Sequence, residues 1–159
     1  MRRRHAPGFT LVELAITVAI VGILALGVAP VLELTAKRQR ETELRSALRD
    51  IRAAIDAYRR AYDEGKIEKR SGESGYPPSL DALVLGIANT QDVTGGKLYF
   101  LRRLPRDPFA EDAAAPAAAT WGKRSYGSPP DAPQEGKDVF DVHSRSTATG
   151  LNGVPYREW

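Results

Sequence analysis

The sequence predicts an α+β fold in which one long N-terminal helix packs against a small antiparallel β-sheet. Residues 14–32 form an apolar run without a charge, and residues 35–62 continue in an amphipathic helical pattern. Short segments with strand character follow at 121–126 and 139–144. Because an apolar helix face needs a covering layer, we expect the strands to lie against the amphipathic half of the helix.

The apolar run is a candidate membrane span. The nineteen positions from Leu14 to Leu32 carry no charge. At 1.5 Å per residue they cover roughly 30 Å, the thickness of a bilayer's hydrocarbon core. Pro30 lacks the N–H that a helix interior needs, so we expect a bend or local unwinding there.

A conventional secretory signal is the alternative interpretation of this run, because Ala25, Gly27 and Ala29 could form a small-x-small cleavage site. The lone carboxylate of Glu13 at the mouth of the run argues against it. A charge costs about 2.5 to 3.5 kcal/mol near the centre of a span, and a signal peptide gains nothing from it.

The second half of the predicted helix carries one apolar stripe. Spacings of three and four residues place these side chains on one face: Leu44, Leu48, Ile51, Ile55, Tyr58 and Tyr62, with Ala47 and Ala54 beside them. No glycine occurs between Val28 and Glu64, so we predict one continuous helix from about Phe9 to Tyr62. Interleaved charges, Glu41 among them, are typical of a solvated face.

The rest of the chain is predicted to cover this stripe. In order, we expect an exposed polar loop over 65–76, a short proline-opened helix over 77–85, an apolar strand or turn over 98–104 and a loop over 113–119. The two strand candidates are expected to pair and to bury Trp121, Tyr126 and Phe140.

Composition excludes several classes of function. The 159 residues include no cysteine, so a disulfide framework and a thiolate metal site are both excluded. The formal charge of +3 comes from Arg2, Arg3 and Arg4, without which basic and acidic residues balance. We therefore expect no nucleic-acid partner. Only His5 and His143 are histidines and no Gly-x-Ser-x-Gly motif occurs, so we expect no enzyme.

Residues 8–13, Gly-Phe-Thr-Leu-Val-Glu, carry the most specific pattern in the chain. Together with the short basic leader, the uncharged span and Pro30, they resemble the class III leader and N-terminus of type IV pilins and pseudopilins. The resemblance implies a type IV pilin-like fold, cleavage between Gly8 and Phe9 by a prepilin peptidase, and N-methylation of Phe9. It also implies that Phe9, Glu13 and Pro30 serve assembly.

The same resemblance divides the chain into a leader peptide at 1–8, a transmembrane and filament-core helix at 9–34, and a periplasmic globular domain at 35–159. The positive-inside rule supports this topology, because a basic leader stays on the cytoplasmic side of the bacterial inner membrane. The pair Pro7–Gly8 resists helix formation, which leaves the peptide bond between Gly8 and Phe9 accessible. The alternative interpretation is that this pair is only a linker.

Glu13 has two interpretations. It can reach the membrane interface, or be protonated, and do nothing more. In the family interpretation it pairs with the α-ammonium group that cleavage creates at Phe9 of a neighbouring subunit, because a buried carboxylate needs a partner. Polymerisation would then depend on processing.

The apolar half of the helix predicts a helical filament of identical subunits. Outside the bilayer only the same segments of other copies can cover it, and a heterologous contact that does not close gives a filament. Small residues permit close approach of the helices: Ala15, Ala19, Gly22, Ala25, Gly27 and Ala29. Further partners implied by the resemblance are minor pseudopilins and an inner-membrane assembly platform with a separate ATPase.

C-terminal motifs narrow the family. The segments 77–83, 104–109 and 140–144, with Trp121 and the Tyr126–Gly127 pair, are similar to the pattern of the G-type major pseudopilin. We therefore expect a structural subunit of the periplasmic pseudopilus that drives type II secretion. The alternatives are a type IV pilus pilin, many of which carry a disulfide loop that this chain lacks, and a cargo-binding module that does not polymerise.

One departure from the family concerns calcium. Major pseudopilins of this type place an acid-rich calcium loop after the final strand, whereas residues 144–153 contain no acid and add a positive charge at Arg145. Calcium prefers several carboxylate and carbonyl oxygens, so we expect no metal or other cofactor in this degenerate loop after Ser144. Asn152 and backbone carbonyls leave a weaker calcium site open.

Overall fold

The computed structural model describes residues 9–159, and for residues 25–30 it describes the backbone alone. The predicted leader at 1–8, with Gly8, lies outside the described residues.

Helix α1 spans Leu11–Asp63 as one element. This confirms the single long helix that the glycine-free sequence predicts. The chain divides into two compact units, one ending at Gln39 and the other spanning Arg40–Trp159. The second unit holds the amphipathic half of α1 and all the strands of the described chain.

Besides α1, the unit Arg40–Trp159 contains one short helix, four short strands and two 3₁₀ turns. In chain order they are α2 (Ala82–Leu85), β1 (Ile87–Ala88), β2 (Lys97–Leu98), a 3₁₀ turn (Ala117–Thr120), β3 (Trp121–Arg124), β4 (Asp141–Ser144) and a second 3₁₀ turn (Tyr156–Glu158). The α+β class is confirmed. The strands form two antiparallel pairs, β1 with β2 and β3 with β4, where the sequence predicted one sheet.

The predicted pairing of the two C-terminal strands is confirmed. Trp121 lies opposite Ser144, and Arg124 lies opposite Asp141. Between them Gly122 faces His143, and a Cβ atom at position 122 would collide with the imidazole ring. Glycine at this position therefore allows the histidine to lie flat across the strand pair.

The predicted stripe of α1 forms the core of this unit. Leu44, Ile51 and Ile55 are at most 1% exposed, and they pack with Trp121, which is fully buried. Other core members come from both halves of the unit: Leu48, Tyr58, Leu80, Leu83, Val139, Val142 and Tyr156. Burying apolar surface contributes about 25 cal/mol per Å², so this cluster is the main source of stability.

Tyr126 is a correction to the predicted core. Its side chain is 59% exposed. The ring instead stacks on Tyr76 with ring centroids 5.3 Å apart, and Phe140 meets Tyr76 edge-on at 4.9 Å. Tyr126 follows the end of β3, so the strand alternation that predicted burial no longer applies to it.

Three predictions about the segments between α1 and β3 need smaller corrections. The loop over 65–76 is not wholly exposed, since Ile67 is 5% exposed and joins the core. The helix predicted over 77–85 is reduced to α2, although Leu80 and Leu83 are fully buried. The alanine-rich loop after Pro116 tightens into a 3₁₀ turn.

Arg52 ties the helix to the C-terminal segments. Its Nε donates to Asp141 Oδ1 at 2.8 Å, and its Nη2 donates to the carbonyls of Val142 at 3.1 Å and Trp159 at 2.8 Å. One guanidinium thus satisfies three acceptors that are about ninety or more residues away in sequence.

A buried carboxylate ties the 104–109 segment to the end of β4. Asp107 is 4% exposed, and its Oδ2 accepts a hydrogen bond from the Ser144 hydroxyl at 2.6 Å. Its Oδ1 accepts from the Phe109 N–H at 2.8 Å. Nearby, the indole N–H of Trp121 donates to the Pro105 carbonyl at 2.9 Å. These bonds fix the proline-rich turn over the buried tryptophan.

The same substitution should lower the free energy of unfolding much more in the buried half of α1 than in its exposed half. Ile51→Ala creates a cavity in the core and should lower the free energy of unfolding by about 2 to 5 kcal/mol. Ile20→Ala, at a side chain that is 51% exposed, should change it by less than about 0.5 kcal/mol. Urea unfolding of the full chain in detergent micelles, followed by tryptophan fluorescence, measures both. Equal losses would contradict this core assignment.

Candidate functional site

Thr10 caps the start of helix α1. The Glu13 N–H donates to Thr10 Oγ1 at 3.2 Å, and the Leu14 N–H donates to the Thr10 carbonyl at 3.1 Å. The hydroxyl thus satisfies one of the N–H groups that have no partner inside a helix. Phe9 precedes the cap and is 82% exposed. The residue predicted to become the N-terminus therefore lies just outside the helix.

Glu13 lies in the first turn of α1 with its side chain exposed. The positive end of the helix dipole favours a carboxylate there by about 0.3 to 1 kcal/mol, which is a structural role in its own right. Within the described residues, no basic side chain forms an ion pair with Glu13. A cationic partner, if it has one, must come from outside the described residues.

The surface of α1 between Glu13 and Glu33 is apolar on every side that is described. Every large apolar side chain described from Phe9 to Leu34 is at least 50% exposed. The Thr17 hydroxyl donates to a carbonyl of its own helix at 2.8 Å, so it presents no free donor to the surroundings. A helix that is apolar all round is typical of a buried or membrane segment.

Pro30 lies inside α1, and the helix is not unwound there. Because proline has no N–H, the carbonyl of Leu26 one turn earlier receives no hydrogen bond from position 30. Considering only the described side chains, no helix combines the length and the apolar character needed to cross a lipid bilayer.

Glu41 is a structural anchor that its residue type did not predict. It was predicted to lie on a solvated face, but it is 5% exposed. Its Oε1 accepts a hydrogen bond from the Leu151 N–H at 2.7 Å and another from the Tyr156 hydroxyl at 3.0 Å. Its position three residues before Leu44 continues the spacing of the apolar stripe, and that register was the signal available in the sequence.

Glu41 holds the loop that follows β4. Tyr156 is fully buried, its ring stacks on Phe109 at 4.1 Å, and its N–H donates to the Ala148 carbonyl at 3.0 Å. Burial, and then the hydrogen bond to Glu41, raises the pKa of the Tyr156 phenol to about 12. The phenol therefore remains a neutral hydrogen-bond donor at physiological pH.

The loop after Ser144 brings no acid cluster together. Arg145 donates to the Ala119 carbonyl at 3.2 Å. Among the described side chains, no three histidine, cysteine, aspartate or glutamate groups converge on a point where a metal ion could bind. The expectation about calcium stays a prediction. His143 is half-buried on β4, and burial lowers the pKa of its imidazole.

Removing the Glu41 carboxylate should loosen the C-terminal loop. Glu41→Ala leaves the Leu151 N–H and the Tyr156 hydroxyl without their acceptor, so the free energy of unfolding should fall by about 1 to 3 kcal/mol. Urea unfolding and hydrogen exchange of the Leu151 amide measure the effect. Asp56→Ala, an exposed acid on the same helix, is the control and should change neither. Unaltered exchange at Leu151 in Glu41→Ala would disprove the anchoring role.

The Tyr156 phenol should make stability fall at alkaline pH. Its pKa is raised in the folded state from an ordinary value of 10.0 to about 12. Its stabilising contribution is therefore complete below pH 10 and is lost as the pH rises towards 12. The free energy of unfolding, measured from pH 8 upward, should decline less steeply in Tyr156→Phe than in the unaltered chain. Tyr126→Phe changes an exposed ring, so its unfolding free energy should decline with pH as steeply as that of the unaltered chain. If Tyr156→Phe declined equally steeply, Tyr156 would not be the source of the pH dependence.

Comparison with known proteins adds independent findings. Residues 3–29 match the family model described as the prokaryotic N-terminal methylation motif. The chain is 31% identical over 126 residues to the type II secretion system core protein G of Pseudomonas aeruginosa. The matched region covers 77% of this chain and 81% of that protein.

Two further relatives extend this similarity. The type IV major alpha-pilin of Moraxella bovis is 30% identical over 118 residues, covering 74% of this chain and 70% of the pilin. The type II secretion system core protein G of Klebsiella michiganensis is 28% identical over 116 residues, covering 70% of this chain and 74% of that protein. No solved structure matches the chain. With its methylation motif, its long helix and its small antiparallel sheets, this chain belongs to the type IV pilin superfamily, together with the core proteins G of type II secretion systems.

Proposed function

We propose that this chain is the major structural subunit of a periplasmic pseudopilus in type II secretion, and that it polymerises through residues 9–34. The observation that carries the proposal is the exposed first half of α1. Its described surface is apolar on all sides, and Glu13 is the one acid before Glu33. Such a surface is stable only in lipid or against other apolar helices.

Processing is the first step of the proposed assembly. A prepilin peptidase cleaves the bond between Gly8 and Phe9, and the new amino group of Phe9 is methylated. Two observations support this step. The methylation motif covers this region. The Thr10 cap starts the helix just after Phe9, so Phe9 itself lies outside the helix with an exposed side chain that a protease can reach.

The second step is pairing between subunits. The α-ammonium group of Phe9 in one copy binds the Glu13 carboxylate of its neighbour while both leave the bilayer. A buried carboxylate is strongly destabilising unless a cation neutralises it, so an unprocessed copy is excluded. Pro30 contributes by freeing a backbone carbonyl inside the helix, which lets this part of α1 adapt to the packing of the filament.

The remaining assignments follow from this role. The chain is anchored in the bacterial inner membrane by a single span over 9–34, with its N-terminus cytoplasmic and residues 35–159 periplasmic. Minor pseudopilins and an inner-membrane assembly platform act with it. A separate ATPase supplies the energy for assembly, because the sequence contains no phosphate-binding loop of its own. The chain has a structural role and no catalytic one.

A type IV pilus pilin is the second candidate function. The similarity to the Moraxella bovis pilin favours it. The absence of cysteine favours the pseudopilus, since this chain cannot close the disulfide loop that many pilins carry. Surface fibres that persist when the secretion machinery is removed would support the pilus.

Substitution of Glu13 tests the proposed pairing. Glu13→Leu should still insert, fold and be processed at Phe9, because the apolar span and the Thr10 cap are unchanged. Its incorporation into filaments should fall at least about tenfold, as expected when the partner of a buried charge is lost. Cross-linking of purified membranes measures incorporation, and mass analysis of the N-terminus shows whether the chain begins at a methylated Phe9.

Glu33→Leu is the matched control, since it removes an acid at the other end of the apolar run and should incorporate normally. Normal incorporation of Glu13→Leu would disprove the pairing. A native chain that begins at any residue other than Phe9 would disprove the processing step as well.

A further inference from the structure

The loop after β4, residues 145–155, does not fit the calcium ion that the resemblance to major pseudopilins implies. Calcium takes roughly six to eight oxygen ligands, several of them from carboxylates. Residues 144–153 contain no acid, and Arg145 adds a positive charge. Among the described side chains, no three acids or histidines converge on a point that could hold a metal ion. The loop therefore has to be held in its fold by other contacts.

The oxygens of this loop accept hydrogen bonds from N–H groups of the same segment. The side-chain oxygen of Asn152 accepts from the Val154 N–H at 3.1 Å. The Val154 carbonyl accepts from the Gly150 N–H at 2.9 Å and from the Trp159 indole at 3.3 Å, which occupies both of its lone pairs. The Gly150 carbonyl accepts from the Gly153 N–H at 3.0 Å. A cation that used these oxygens would have to compete with the donors already bound to them.

The nearest buried acid outside the loop is also occupied. Asp107 lies against the end of β4, where its Oδ2 accepts from the Ser144 hydroxyl at 2.6 Å and its Oδ1 accepts from the Phe109 N–H at 2.8 Å. The Arg145 guanidinium then donates to the Ala119 carbonyl at 3.2 Å. Hydrogen bonds to protein groups therefore fix the beginning of the loop.

The middle of the loop is fixed by a carboxylate from helix α1. Glu41 is 5% exposed, and its Oε1 accepts from the Leu151 N–H at 2.7 Å and from the Tyr156 hydroxyl at 3.0 Å. The loop and the residue after it thus direct N–H and O–H donors at a negative charge. An acid-rich loop has the opposite polarity, because its oxygens face a positive ion.

We propose that the loop after β4 folds around the Glu41 carboxylate and requires no metal ion. Hydrogen bonds to a charged acceptor are stronger than those between neutral groups, so one buried carboxylate can order the loop. Glu41 and the loop both belong to the unit Arg40–Trp159. The proposal therefore goes beyond the pseudopilus function and does not depend on filament formation.

The test measures the loop directly in the unassembled full chain, in detergent micelles. The Leu151 amide should exchange its hydrogen at the same rate in excess calcium chloride and in excess EGTA, because an ion that binds only the folded loop would slow the exchange. Titration with calcium chloride should leave the NMR amide signals of Leu151, Asn152 and Gly153 without a saturable shift.

Two substitutions at position 41 test the carboxylate. Glu41→Ala removes the acceptor, so exchange of the Leu151 amide should become at least about tenfold faster, and calcium should not restore the original rate. Glu41→Gln keeps a side-chain oxygen that can accept from the Leu151 N–H, and its exchange should accelerate less than in Glu41→Ala. Asp56→Ala, at an exposed acid of the same helix, is the control and should exchange like the unaltered chain.

Three results would overturn the proposal. The first is a saturable shift of the loop amides on addition of calcium, or slower exchange of Leu151 in calcium than in EGTA. The second is recovery of Leu151 protection when calcium is added to Glu41→Ala, since the loop would then hold an ion. The third is unchanged exchange in Glu41→Ala. None of these results bears on the Phe9–Glu13 pairing, which is tested by incorporation into filaments.

Discussion

An apolar helix surface has to be covered, and this requirement organises the chain. From Leu44 onward, α1 is apolar along one stripe, and strands and loops of the unit Arg40–Trp159 bury it. Between Glu13 and Glu33 the helix is apolar on all described sides, and each described large apolar side chain there is at least half exposed. The globular unit can therefore fold with its own chain, whereas the first half of the helix depends on lipid or on other copies. Under the proposed function, the second half of α1 serves folding and the first half serves assembly.

The globular unit uses charged side chains where many small exported domains use disulfides. Its strands are at most four residues long, and short ladders contribute little stability by themselves. Arg52 on α1 donates to the carbonyl of Trp159, and Glu41 accepts from the N–H of Leu151. Asp107 accepts from the hydroxyl of Ser144 at the end of β4. Each contact closes a long loop, as a covalent bridge would, but it does so through hydrogen bonds to charged groups.

The sequence predicts best those features that rest on many residues in register. The stripe of α1 combines eight apolar positions, so one irregular residue does not change the interpretation. The pairing of β3 with β4 rests on alternation over several residues and was also predictable. The strands β1 and β2 were not, because two residues are too few to show a period. The burial of Glu41 was not predicted, because glutamate is usually exposed to solvent. Its spacing of three residues from Leu44 nevertheless places it on the same helix face as the apolar stripe.

Where the sequence failed, a tertiary contact decided the outcome. Tyr126 was expected inside because it follows a strand pattern, but β3 ends two residues earlier and the ring finds Tyr76 at the surface. The proposed N-terminal site depends on groups outside the described residues, so the periodicity of a single chain cannot define it.

The threonine hydroxyl at the start of α1 has a consequence for maturation. Among the described residues, the first hydrogen bonds of the helix run from the N–H groups of Glu13 and Leu14 to Thr10. Because Thr10 lies after the proposed cleavage point, removal of the leader there would leave both of these bonds in place. The proposed cut would therefore create a positive amino group at Phe9 without removing the hydrogen bonds that begin the helix.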